Sequence, residues 1–151
     1  MPVYRSRSEE ETEEIAANIA QTLRAGDVVL LSGELGAGKT AFVRGLARGL
    51  GVDPLEVSSP TFTLLHEHAG RRLRLCHADL YRLPAAAVDD LGLEEAGAQD
   101  GVLAIEWPER FGRAPAGAVR VRLTATGPDE REIVVEDGRG AIPFGSSALP
   151  S

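Results

Sequence analysis

One octapeptide constrains this chain more than anything else in it. Gly33-Glu34-Leu35-Gly36-Ala37-Gly38-Lys39-Thr40 satisfies the pattern G-x-x-x-x-G-K-[ST] in full. The pattern dictates architecture as well as ligand class, because it works where a buried strand runs into a helix N-terminus. The flanks comply. Residues 28–32 form a short apolar run of the kind buried in parallel sheets. Phe42, Val43, Leu46 and Leu50 then mark a helix that Gly51 ends. Gly33 and Gly38 permit backbone angles closed to other residues, so successive amides turn inward and form a nest for phosphate oxygens. The helix N-terminus adds about half a positive charge. Gly33, Glu34, Leu35, Gly36, Ala37, Gly38, Lys39, Thr40 and Ala41 are therefore the candidate nucleotide-binding positions. Lys39 would reach the β- and γ-phosphates, and the Thr40 hydroxyl would ligate Mg²⁺. A dinucleotide fingerprint overlaps as Gly36-x-Gly38-x-x-Ala41, but it explains neither Gly33 nor Lys39-Thr40. Every basic residue except Lys39 is an arginine, which singles out the same position.

Such a site needs an acid for the metal shell and a group to position the attacking water. Val102-Leu103-Ala104-Ile105-Glu106 has the form of a Walker B strand, four apolar residues and then an acid at the carboxyl end. Residues 73–79 end on a second candidate, Asp79. Either carboxylate, or both, would complete a metal shell with Thr40.

The rest of the chain fits one α/β domain. At 151 residues there is room for one hydrophobic core, and 43% hydrophobic with 26% charged residues is ordinary for a globular domain. Ser8-Glu9-Glu10-Glu11 reads as a capping box. Ile15, Ile19 and Leu23 follow it at helical spacing, with Gly26 expected to close the helix. Residues 61–68 and 71–77 read as a hairpin turning at Ala69-Gly70, and residues 84–96 as a helix behind Pro84. Alternation in 119–123 and 131–135 predicts a second hairpin, turning at 126–129. The expected fold is a mostly parallel sheet flanked by helices, phosphate-loop NTPase-like, with a β-hairpin insertion and a C-terminal hairpin. It should span residues 1–136, and the small, polar, aperiodic stretch 137–151 should be a mobile tail.

Net charge is −7, from 23 acidic and 16 basic residues, which argues against unaided capture of nucleic acid. A single cysteine, Cys76, excludes an internal disulfide and fits a reducing compartment. The longest strongly apolar run has four residues, 28–31, against the ~20 a membrane span needs. A cytoplasmic protein is expected.

Taken in order, GELGAGKT, Ser59-Pro60-Thr61-Phe62, His77-Ala78-Asp79-Leu80-Tyr81-Arg82-Leu83 and Glu106-Trp107-Pro108 resemble the TsaE (YjeE) family. These are small bacterial ATPases of tRNA threonylcarbamoyladenosine biosynthesis. The likeness covers residues 8–108. It implies Glu106 as the Walker B-type acid and Asp79 as a second carboxylate near the metal, as ligand or as water-orienting base. It implies Thr61 as a switch threonine closing on the γ-phosphate, Trp107 beside the nucleotide, and Ser8 and Thr12 bordering the adenine. The implied cofactors are ATP and Mg²⁺. The implied partners are a threonylcarbamoyl-transferase subunit (TsaD-like) and its inactive paralogue (TsaB-like), with tRNA met only through that complex.

Other readings compete. His66, His68, Cys76 and His77 suggest zinc, but a turn at Ala69-Gly70 would place His68 near Arg71 and His66 near Leu73, away from Cys76 and His77. A small-molecule kinase would share the loop but needs an acceptor pocket and a lid. A nucleotide-gated binding module, for which occupancy rather than turnover matters, would look identical at the loop.

Overall fold

The structure is a computed structural model that describes residues 2–34, 36–57, 65–80, 100–107 and 117–139. The expected helix at 84–96, Leu35, the segment around Thr61, Tyr81 to Leu83, and residues 140–151 lie outside the described residues.

The parallel heart of the sheet follows from sequence pattern. Val28–Ser32 (β2), Arg74–Asp79 (β4) and Gly101–Glu106 (β5) are apolar for most of their length and buried on both faces. Val119–Ala125 (β6) alternates buried and exposed residues, as a half-covered strand must. With Val3–Ser6 (β1), Leu65–His68 (β3) and Arg131–Asp137 (β7), the described strands form one sheet in the order β1-β7-β6-β2-β5-β4-β3. β6, β2, β5 and β4 run parallel, while β7, β1 and β3 add antiparallel edges. The parallel character is thus confined to the four central strands.

Two helices, Glu9–Ala20 (α1) and Lys39–Leu50 (α2), cover one face. Val29, Leu31, Leu75, Val102, Ala104, Val121 and Leu123 meet Phe42, Leu46 and Leu50 there. Leu30, Cys76, Ala78, Leu103 and Ile105 form a second cluster on the opposite face. The helices touch through small residues. A Cβ on Gly45 would lie 2.3 Å from Glu13 O, and one on Gly49 would lie 2.5 Å from Ala20 Cβ. This close approach fixes the position of α2, and α2 begins at Lys39.

Ser8 caps α1 as expected. Its hydroxyl accepts from Glu11 N–H at 3.1 Å, and Glu11 accepts in return from Arg7 N–H at 2.7 Å. The helix ends earlier than Gly26, however. It stops at Ala20, and Thr22 and Leu23 continue with tighter bonds to Ile19 O and Ala20 O. Arg72 donates to the carbonyls of Ala20 and Leu23, supplying from a distant segment the cation that this helix C-terminus lacks.

The first hairpin also differs from expectation. Strand pairing sets His68 opposite Leu75 and His66 opposite His77, not opposite Arg71 and Leu73. The cause is the end of α2. The amides of Arg71, Arg72 and Leu73 donate to Gly51 O and Leu50 O, so residues 69–73 dock on the helix instead of closing a tight turn. The C-terminal hairpin forms as read, with Thr126 N–H bonded to Glu130 O across its turn. Residues 137–139 belong with the sheet rather than with a mobile tail. Asp137 ends β7, and Arg139 donates to Asp27, Asp137 and Thr22.

Candidate nucleotide-binding site

The loop from Gly33 to Lys39 sits where β2 ends. Gly33 has φ +152°, and a Cβ there would come within 2.7 Å of Leu123 O on β6. That close approach makes a side chain untenable. Gly38, with φ +98°, stands at the N-cap position of α2, and Gly36 has φ +81°. Ala37 N–H closes a turn on Glu34 O at 3.0 Å.

The two helix N-termini differ in a way that matters chemically. Three glutamates and a serine cap meet the amides and dipole of α1. The first turn of α2 has no acid, and its glycine N-cap offers no side chain to its amides. An anion supplied from outside is the natural complement to such an end.

Lys39 is only 5% exposed. Its Nζ donates to Gly33 O and lies 3.7 Å from the centroid of the Trp107 ring. Trp107 follows β5 with φ +60°, an unusual value for a residue bearing a side chain, and its N–H donates to Leu31 O. The structure therefore brings the Walker lysine and Trp107 together. Thr40 stands next to Lys39 in the first turn, half-buried, and Ala41 is buried behind it.

Asp79 and Glu106 are direct partners at the carboxyl ends of the parallel strands β4 and β5. Leu31 of β2 pairs with Glu106 on the other side, two residues before Gly33. Both acids thus stand at the loop end of the sheet. They differ in environment. Asp79 is half-exposed, whereas Glu106 is buried and accepts a 2.6 Å hydrogen bond from Nε2–H of the fully buried His77. His77 fixes one carboxylate oxygen of Glu106, while its own buried Nδ1 has no hydrogen-bond partner among the described residues. Two carboxylates and the Thr40 hydroxyl are hard oxygen donors, which suits Mg²⁺. Among the described residues no group of three or more His, Cys, Asp or Glu forms a metal cage. Mg²⁺ does not need one, since it is commonly held by one or two carboxylates, substrate phosphates and water.

Ser8 and Thr12 are occupied locally. Ser8 caps α1, and the buried Thr12 hydroxyl bonds Ser6 Oγ at 2.7 Å. Ser6 pairs with Arg131 of β7, so this corner lies one strand from the loop. Arg131 itself escaped the sequence reading. Its guanidinium donates to Gly36 O and Ala37 O, both at 3.1 Å. Nothing near it in sequence signals this, because the contact spans some 95 residues. His77 stood out in the sequence as part of a motif and of the zinc reading, but not as the partner of Glu106.

Comparisons with known proteins bear on the family and the fold. The family model for the threonylcarbamoyl adenosine biosynthesis protein TsaE matches residues 6–133. A Bacillus subtilis tRNA threonylcarbamoyladenosine biosynthesis protein TsaE is 40% identical over 131 residues, covering 86% of this chain and 82% of the relative. A Treponema pallidum protein of the same name is 44% identical over 133 residues, covering 86% and 96%. The crystal structure of Bacillus subtilis YdiB superposes with a TM-score of 0.74 at 35% identity, covering 91% of this chain and 85% of that one. A matching family model over most of the chain, relatives at this identity and a shared phosphate-loop fold lead to one conclusion: the chain belongs to the TsaE family.

Proposed function

We propose that this protein is a Mg²⁺-dependent ATPase that supports threonylcarbamoylation of a tRNA adenosine. The observation that carries the reading is the α2 N-terminus, opened by glycine, free of first-turn acids and flanked by buried Lys39. Asp79 and Glu106 support it, standing at the loop end of the sheet on neighbouring strands. In hydrolysis, water attacks the γ-phosphorus, the bond to the β,γ-bridging oxygen breaks, and ADP, phosphate and a proton leave. Bound Mg²⁺ would neutralise charge on the β- and γ-phosphate oxygens, and Thr40 with Asp79 or Glu106 would hold it. Lys39 offers its ammonium to the same phosphates from a pocket of low water content, where the attraction is strong. Glu106, oriented by His77, suits the metal shell, and the more exposed Asp79 suits orientation of water. Thr61 as a switch, and Ser8 and Thr12 beside the adenine, remain part of this proposal. So do the transferase subunit and its paralogue as partners, with tRNA reached through them in the cytoplasm. No described helix is long and apolar enough to cross a membrane.

Phosphate release in Mg²⁺ and ATP tests the proposal. Slow basal turnover should rise when the transferase pair is added. Lys39→Ala should abolish it, and Thr40→Ala should lose activity together with the Mg²⁺ requirement. Asp79→Ala and Glu106→Ala should depress hydrolysis more than nucleotide affinity. Wild-type rates in the Lys39 and Thr40 variants would refute the reading. Phosphate appearing only on an added acceptor would mark a kinase instead. Full tRNA modification by a binding-competent, hydrolysis-dead variant would mark a nucleotide gate.

A further inference from the structure

The carbonyls on the outer side of the phosphate loop are held from behind by one residue. We propose that Arg131 is a positioning residue for the nucleotide, its planar guanidinium setting the peptide planes of the loop. The inference rests on the nucleotide-binding reading above and deepens it.

Arg131 opens β7 and is half-buried. Its Nε donates to Ala37 O and one terminal nitrogen donates to Gly36 O, both at 3.1 Å. The other terminal nitrogen donates to Glu130 O at 2.8 Å, Gly127 O at 3.2 Å and Pro128 O at 3.4 Å, all in the β6–β7 turn. The fork thus bolts two consecutive loop carbonyls to a fixed turn. A trans peptide carries its C=O and N–H on opposite sides. Pinning Ala37 O toward Arg131 therefore sends Gly38 N–H the other way. Pinning Gly36 O likewise directs Ala37 N–H, which closes the turn on Glu34 O. Gly38 packs directly on this side chain, since a Cβ there would lie 3.6 Å from Arg131 Nε. A loop rich in glycine would otherwise sample many backbone states. A nest already shaped avoids that ordering cost on binding.

Lysine cannot substitute for the fork. It offers a point charge on a flexible stem, whereas arginine presents coplanar donors to two acceptors at once. Adding positive charge beneath the loop is a second effect, and lysine would preserve it.

The test compares wild type, Arg131→Ala and Arg131→Lys by thermal unfolding, MgATP calorimetry, steady-state kinetics and loop amide hydrogen exchange without nucleotide. Arg131→Ala should bind MgATP about 10- to 100-fold more weakly, the scale set by losing a hydrogen bond to a charged group. KM should rise in step while kcat changes less. The Ala37 amide should exchange faster, and Arg131→Lys should stay closer to Arg131→Ala than to wild type. Folded variants with wild-type affinity and wild-type exchange would overturn the inference. Rescue of both by lysine would overturn the role of the fork. If Arg131→Ala does not fold, Arg131→Lys alone decides through the same readouts. A wild-type protein that binds no nucleotide would refute the proposed function itself, a result separate from normal wild-type binding with indifferent Arg131 variants.

Discussion

Replacing Gly45 by alanine should loosen the contact that positions α2. In the middle of a helix this change is ordinarily favourable by about 1 kcal/mol, through backbone entropy and propensity. Here the added methyl would lie 2.3 Å from Glu13 O, 2.6 Å from Ala16 Cβ and 2.7 Å from Glu13 Cα. Carbon contacts are comfortable at about 3.5–4.0 Å, so α2 must retreat from α1 by roughly 1 Å. Two of the three obstacles are backbone atoms, which no rotamer change can clear. Overpacking costs ~1–3 kcal/mol, and this site belongs toward the upper end. After subtracting the propensity gain, about 1–2 kcal/mol of destabilisation remains. For a chain of this size that is a fall in Tm of about 2–8 °C. The displacement also reaches the site, because α2 starts at Lys39 and the loop precedes it. Thermal unfolding of Gly45→Ala beside wild type measures the effect. A Gly45→Ala Tm equal to or above wild type would refute the packing argument.

Gly33→Ala should weaken nucleotide binding at least tenfold, since its Cβ would strike Leu123 O at 2.7 Å; calorimetry with MgATP reads this, and unchanged affinity counts against a rigid β6 floor. Cys76 is fully buried, and desolvation raises its thiol pKa, so native protein should resist maleimide and become labelled only in denaturant; rapid native labelling would contradict the packing of the second cluster. His66 has its pKa lowered from 6.5 by burial and by the neighbouring His77 and His68. Below pH 6.5 the unfolded chain then binds more protons than the folded one, so stability falls as pH drops through that window and is insensitive to this group above it. Tm measured from pH 7.5 down to 5 should decline less in His66→Gln than in wild type, and equal slopes would remove His66 as the cause.

What the sequence disclosed and what it withheld divide along contact range. The strand before the glycine-rich loop, the helix after it and the capping box at Ser8 are local, each written within a dozen residues, and all three form as read. The strand that ends on Glu106 was legible because burial on both faces demands an unbroken apolar run. The first hairpin was misread because turn residues at Ala69-Gly70 are only a local preference. Docking of residues 71–73 on Leu50 O and Gly51 O, some twenty residues away, outweighed it. The end of α1 was displaced for a similar reason, through Arg72. β1 gave no signal, being four residues long and exposed at its first three. The paired acids show both sides of this division. Asp79 and Glu106 were each visible as a strand-end carboxylate, yet their register and the His77 bond to Glu106 depend on which strands are neighbours.

The same division explains the C-terminal hairpin, which its sequence marks as an accessory and its contacts make part of the site. Leu123 O on β6 comes so near Gly33 that only glycine fits, and Arg131 on β7 holds the carbonyls of Gly36 and Ala37. The front of the loop is thus specified by a local motif, and its back by residues nearly a hundred positions later. An acidic chain of net charge −7 gathers its local positive field here from three sources: the α2 N-terminus with its glycine N-cap, Lys39 within the loop and Arg131 behind it. Each alone is a modest attraction for a polyphosphate in water. Together, with Lys39 excluded from solvent and the loop amides held in place, they act in a setting of lower effective dielectric, where each is strengthened. A residue that fixes backbone direction contributes to such a field as surely as one that carries charge, because a dipole helps only when it points the right way.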